Sequence, residues 1–172
     1  MYILLKLLFD ICLFKKGPQD LPYSDWLLRM LILAYAGIRF LMLAMHLTWT
    51  IVLLQILVEI CLMIGFAALM LTYVNKMKRF NQVSSALFGT DTLINFLAIP
   101  TILTLEIGQG GWLVFMLMLA LIAWQCAVIA HIIYNALEQN MVISFALAFV
   151  YLMASYLVIA LLFPEAASTG SA

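Results

Sequence analysis

Charged side chains are scarce in this chain. They make up 9% of 172 residues, against 67% hydrophobic ones, where a soluble domain carries about 25% charged and about 45–50% apolar residues. So few charges cannot cover so much apolar surface in water, which excludes a soluble globular domain. A disordered chain and a nucleic-acid binder with a basic face are excluded by the same shortage. Cysteine is almost absent too. Cys12, Cys61 and Cys126 are odd in number and far apart, so neither a disulfide framework nor a zinc site is expected. Chemistry-bearing motifs are missing as well: no HExxH, no GxSxG, no glycine-rich phosphate loop and no acidic cluster for a hard metal. Gly108-Gln109-Gly110-Gly111 reads as a connection between helices. The expectation is a non-enzymatic protein without a cofactor.

What is present is apolar sequence in long runs. Five stretches stand out, at 26–45, 48–74, 91–107, 112–136 and 141–163. About 20 helical residues cross about 30 Å of hydrocarbon. Four stretches meet that length. The third is short and contains Pro100, so it is expected to be kinked or to stop short of one surface. Before it, residues 84–89 read as a single helical turn ended by Gly89, with Thr90 capping the span that follows. The fold class is therefore an all-α integral membrane protein with five transmembrane helices.

The N-terminal sixteen residues are apolar but interrupted by Lys6 and Asp10, and they end in Lys15-Lys16-Gly17-Pro18. Lys6 and Asp10 stand four apart, where they share a helical face and can pair. This pattern predicts an amphipathic helix lying in the membrane interface. The basic pair follows the apolar stretch and no small-residue cleavage site is present, unlike a signal peptide, so the segment is expected to be retained. The prolines at 18 and 22 break the chain. Ser24 then caps the next helix, with Asp25 in its first turn. The organisation expected is an interfacial helix and break over 1–23, a five-span domain over 24–163 and a flexible tail over 164–172.

Lys6, Lys15, Lys16 and Arg29 precede or open the first span, and Lys76, Lys78 and Arg79 lie between the second and third. The other connections lack Lys and Arg. The positive-inside rule then places the N-terminus in the cytoplasm and, with five spans, the C-terminus outside.

Polar groups within the spans are costly and therefore informative. Arg39 is the most expensive of them, and across the hairpin Gln55 and Glu59 lie at comparable depth, with Thr48 on their face. Arg39, Gln55 and Glu59 form one expected network, either a lock between two helices or a proton or substrate site. Asp91 and Asn95 share a face, and so do His131 and Asn135. These four are expected as a polar cluster at the cytoplasmic end, with Asp91 capping its helix. Ser144, Tyr151 and Ser155 read as a packing seam on the last span.

Ser85-Ala86-Leu87-Phe88-Gly89-Thr90-Asp91, followed by Leu97-Ala98-Ile99-Pro100, resembles the entry to the third span in the Yip (Ypt-interacting protein) domain family, in its bacterial branch. Trp112 opening the fourth span and a polar break before the fifth fit the same pattern, over roughly residues 26–163. The acidic and Tyr-Gly motifs of the eukaryotic members are not legible. The resemblance implies a non-enzymatic membrane protein that binds other membrane components. The leading expectation is thus a scaffold or accessory subunit, contacting the lipid bilayer and a membrane-protein partner or a second copy. The alternative is a small transporter or permeation unit using Arg39, Glu59 and Asp91.

Overall fold

The computed structural model describes residues 2–44, 47–106, 111–138 and 140–164. The expected Gly108-Gln109-Gly110 connection, Gln139 in the polar break and the tail beyond Pro164 lie outside the described residues, as does His46. Six α-helices follow one another: α1 (Tyr2–Cys12), α2 (Asp25–Leu43), α3 (Trp49–Tyr73), α4 (Phe80–Glu106), α5 (Trp112–Leu137) and α6 (Met141–Leu162). Short 3-10 turns at Pro18–Asp20 and Met77–Arg79 precede α2 and α4. No strand occurs among the described residues. Helices α2 to α6 are each long and apolar enough to cross a membrane.

Large apolar side chains stand exposed around the outside, among them Leu69 of α3, Leu113 of α5 and Val142 and Leu161 of α6. Water would not tolerate so wide an apolar surface, whereas lipid solvates it. The fold class is that of an all-α membrane protein with five spanning helices.

The centre of the bundle is α4. Every residue from Val83 to Thr92 is buried. The run is rich in Ser84, Ser85, Ala86, Gly89 and Thr90, whose small side chains let neighbouring backbones approach closely. The threonine hydroxyls are satisfied within the helix, with Thr90 donating to the Ala86 carbonyl at 2.8 Å and Thr92 to that of Phe88 at 2.6 Å, so they do not end it; the buried Ser84 hydroxyl has no hydrogen-bond partner among the described residues.

This corrects three sequence expectations. Gly89 does not close a turn, because α4 runs unbroken from Phe80. Its role is space: a Cβ there would stand 2.5 Å from a Leu8 methyl of α1. Thr90 and Asp91 consequently cap nothing. The third span is not short either, since 27 helical residues reach about 40 Å. Pro100 sits inside α4, itself exposed beside the buried Thr101.

The N-terminal helix packs on the bundle along one side. Leu8, Ile11 and Cys12 of α1 are buried in the common core. The Cys12 carbonyl accepts from Trp124 Nε1 at the midpoint of α5, 3.0 Å away. That side of α1 is thus covered by α4 and α5, while Ile3, Leu5 and Phe9 stay exposed. Its Lys6 and Asp10 form no ion pair among the described residues, and Lys15 and Lys16 lie beyond its end in an exposed turn. Phe14 turns the chain back at φ 59, and Gln82 of α4 fastens the returning segment by donating to the Leu21 carbonyl at 2.8 Å.

Ser24 caps α2, its hydroxyl accepting from Leu27 N–H at 3.4 Å, and Asp25 accepts from the Asn81 amide at the start of α4. Thr48 precedes α3 and is exposed, without a side-chain cap bond. The beginning of α4 and the end of α5 meet where Lys76 and Arg79 both reach Glu138, at 2.8 and 2.9 Å. That is the basic end of the bundle.

Candidate functional site

Arg39 of α2 grips Glu59 of α3 with two donors. Its Nε donates to Oε2 at 2.7 Å, and Nη2 reaches Oε1. The same carboxylate accepts from the Tyr35 hydroxyl at 2.9 Å and from the Gln55 amide at 3.2 Å. A planar guanidinium matches a carboxylate fork to fork, and two further donors fill the remaining lone pairs. Glu59 is 5% exposed. Its charge is therefore accommodated by partners rather than by water.

Asp91 of α4 belongs to the same region. Its carboxylate accepts from Gln125 of α5 and from Asn95 one turn along α4, the latter at 2.9 Å. Asp91 is 7% exposed. The last span brings Tyr151 and Ser155, with Tyr151 stacked on Phe66 of α3 at a centroid distance of 4.3 Å.

These side chains surround a cavity of about 160 Å³ to which all five spans contribute: Tyr35 and Arg39 from α2, Glu59 and Met63 from α3, Asp91 and Asn95 from α4, Gln125 from α5, and Tyr151, Leu152, Ser155 and Ile159 from α6. Its depth follows from the helix rise. Arg39 lies about 21 Å along α2 from Asp25, Asp91 about 16 Å along α4 from Phe80, and Glu59 about 15 Å along α3 from Trp49. Asp91 lies near mid-span, while Arg39 and Ile159 stand within about 6 Å of the C-terminal ends of α2 and α6, so the cavity runs from mid-span toward that end.

The expected four-residue cluster at one end is thus divided. Asp91 and Asn95 join Arg39, Gln55 and Glu59 within the spans. His131 and Asn135 sit elsewhere on α5, where His131 Nε2 meets the Lys16 carbonyl at 3.1 Å and Asn135 meets the His131 ring. The Phe14 ring packs edge-on against His131 at 5.3 Å. This pair fastens the N-terminal segment. The division has a simple cause: α4 begins about eleven residues earlier than the apolar run suggests, which carries Asp91 inward from a helix end.

Two members of the cavity were passed over in the sequence, although each carries a signal. Gln125 is an amide in an otherwise apolar run, and Tyr35 stands one helical turn before Arg39 on the same face. Of the expected seam, Tyr151 and Ser155 line the cavity. Ser144 is buried, its hydroxyl 3.3 Å from the Asn140 carbonyl at the start of α6.

Among the described residues no group of three His, Cys, Asp or Glu side chains is placed to hold a metal ion. The arrangement supplies one guanidinium, two carboxylates, two amides and three hydroxyls around a space large enough for a small molecule. Such a site can bind and orient a polar solute. Comparison with protein families, curated proteins and solved structures returns no match to this chain. What the fold and sequence define is a class, a five-helix membrane protein.

Proposed function

We propose that this protein takes up a small polar solute or ion in its intramembrane cavity and serves as a transport or permeation unit. The observation that carries this reading is the convergence of Arg39, Glu59 and Asp91 from three helices on one cavity that all five spans line. Ionisable groups in hydrocarbon are costly and mark solute or proton paths by default. A lock between two helices needs Arg39 and Glu59 alone. It does not call for Asp91, Asn95, Gln125, Tyr151 and Ser155 around an open space.

The scaffold reading draws on the lack of catalytic motifs, the short loops and an interfacial helix able to dock a partner. With Leu8, Ile11 and Cys12 packed against α4 and α5, less of that helix is left for a partner. Kinship with the Yip domain proteins remains a proposal resting on the short motifs around Gly89 and Pro100.

Water access tests this reading without knowledge of the solute. Ser155→Cys in a background lacking the native cysteines should react with a membrane-impermeant, hydrophilic thiosulfonate reagent in proteoliposomes. The lipid-facing native Cys61, kept as the sole cysteine, should react far more slowly. Equal rates at the two positions would remove the basis for a solute site.

A further inference from the structure

The cavity is not electrically balanced. Among the described residues that line it, two carboxylates, Glu59 and Asp91, share a single guanidinium. Arg39 commits two donors to Glu59, and no ion pair joins it to Asp91 among the described residues. Among the described residues Asp91 receives the amide donors of Gln125 and Asn95 and no cation. Amide dipoles solvate a carboxylate, but they do not neutralise it. A carboxylate without a counter-charge is costly at a position only 7% exposed. A ligand that carries a positive charge relieves that cost, a neutral ligand leaves it standing, and an anion adds to it.

We infer that the ligand of this cavity is a small organic cation, an ammonium group on a short apolar body, held by Asp91. The inference rests on the reading of the cavity as a solute site and names its substrate class. The volume fits: a cavity of about 150 Å³ lined by apolar groups admits benzene, and this one measures about 160 Å³. The lining divides in the manner such a ligand needs. Asp91 offers the charge, and Met63, Leu152 and Ile159 offer apolar surface. The Arg39–Glu59 pair is occupied with itself, so Asp91 is the carboxylate left for the ligand.

Three short-chain probes of similar size and different charge give the test. Equilibrium binding of n-butylammonium, n-butanol and n-butyrate is measured calorimetrically on the full chain in lipid nanodiscs. Butylammonium should bind saturably and at least about tenfold more tightly than butanol, with butyrate weakest, because a hydrogen bond to a charged group exceeds one to a neutral group by about that factor. Asp91→Asn keeps the shape and removes the charge, retaining one of the two amide contacts as an acceptor, and should bring butylammonium down to the level of butanol. Butylammonium binding no tighter than butanol, or an unchanged ratio in Asp91→Asn, overturns the inference. Should Asp91→Asn fail to fold, the ratio in the unaltered protein decides alone. If Ser155→Cys is labelled rapidly while butylammonium shows no preference, the cation assignment falls and the solute site stands. If Ser155→Cys is labelled no faster than Cys61, the solute site falls as well.

Discussion

Among the described residues two carboxylates each engage an arginine, and they differ in surroundings. Glu59 lies in mid-membrane, 5% exposed, with donors from Arg39, Tyr35 and Gln55. Glu138 lies at the basic end, its side chain 60% exposed, with Arg79 and Lys76 at 2.9 and 2.8 Å. The distances are similar and the energetics are not. Where water is excluded, each partner is indispensable to the other, since removing one strands a charge. Where water is present, solvent and salt replace a lost partner at little cost. An ion pair read from geometry alone therefore says nothing about stability until its burial is known.

The largest expected effect breaks the buried pair from one side. Glu59→Leu leaves the Arg39 guanidinium without its carboxylate and deprives Tyr35 of its acceptor. Loss of one partner of a buried pair costs about 3–5 kcal/mol in soluble proteins. Water defects and snorkelling relieve part of that in a bilayer, so about 2–3 kcal/mol is expected here. The melting midpoint in detergent should fall markedly. The double variant Arg39→Leu with Glu59→Leu should recover most of the loss, because neither charge is then stranded. A double variant as damaged as the single one would show that the pair is not a closed unit.

A change without charge sets the scale between the two carboxylates. Gly89 lies two residues before Asp91 in α4, and a Cβ there would meet the Leu8 methyl at 2.5 Å. Gly89→Val should cost about 1–3 kcal/mol as overpacking, or push α1 aside. Cys12 reports which occurs. Its thiol is buried, and that burial, together with the nearby charge of Asp91, pushes its pKa up to about 12. Alkylation needs the thiolate, so Cys12 should resist maleimide in the parent protein. In Gly89→Val the labelling rate should rise as α1 undocks, and Leu8→Ala should restore protection. Unchanged labelling together with unchanged stability would mean that α1 does not rest on α4 at this point.

The class of fold was legible because it depends on sums. Apolar runs of sufficient length and a shortage of charge define a multi-span helical protein whatever the packing. The meeting of Arg39 with Gln55 and Glu59 was legible for a different reason: a short hairpin between α2 and α3 sets the depth of both helices. Asp91 was misplaced because its depth depends on where α4 starts. Residues 80–90 are polar enough to read as a connection holding one helical turn, yet they form continuous helix and 83–90 are buried, their small side chains fitting against α1 and neighbouring spans. Docking of α1 was not legible at all. Its apolar face suits a lipid surface and a protein surface equally, and only the close approach at Gly89 selects the latter.

The smallest expected effect concerns Glu138, and it completes the comparison. Hydrogen bonds from Lys76 and then Arg79 hold its carboxyl below the ordinary value of 4.5. A carboxyl depressed in the folded state contributes stability above its unfolded value and loses it as pH falls through the lower, folded one. Any contribution of Glu138 is therefore constant from neutral pH down to about 4.5 and fades below that. Exposure makes it small even there, since water screens the pair. Glu138→Gln should leave the melting midpoint at neutral pH unchanged within error, in low and in high salt alike. The measurement that sharpens the contrast is the salt dependence of both variants. Salt should mask little of the loss in Glu59→Leu, because Arg39 is mostly buried at its site while Glu138 stands in open solvent. A Glu138→Gln loss comparable to that of Glu59→Leu would mean that the basic end, not the cavity, is where this bundle depends on charge.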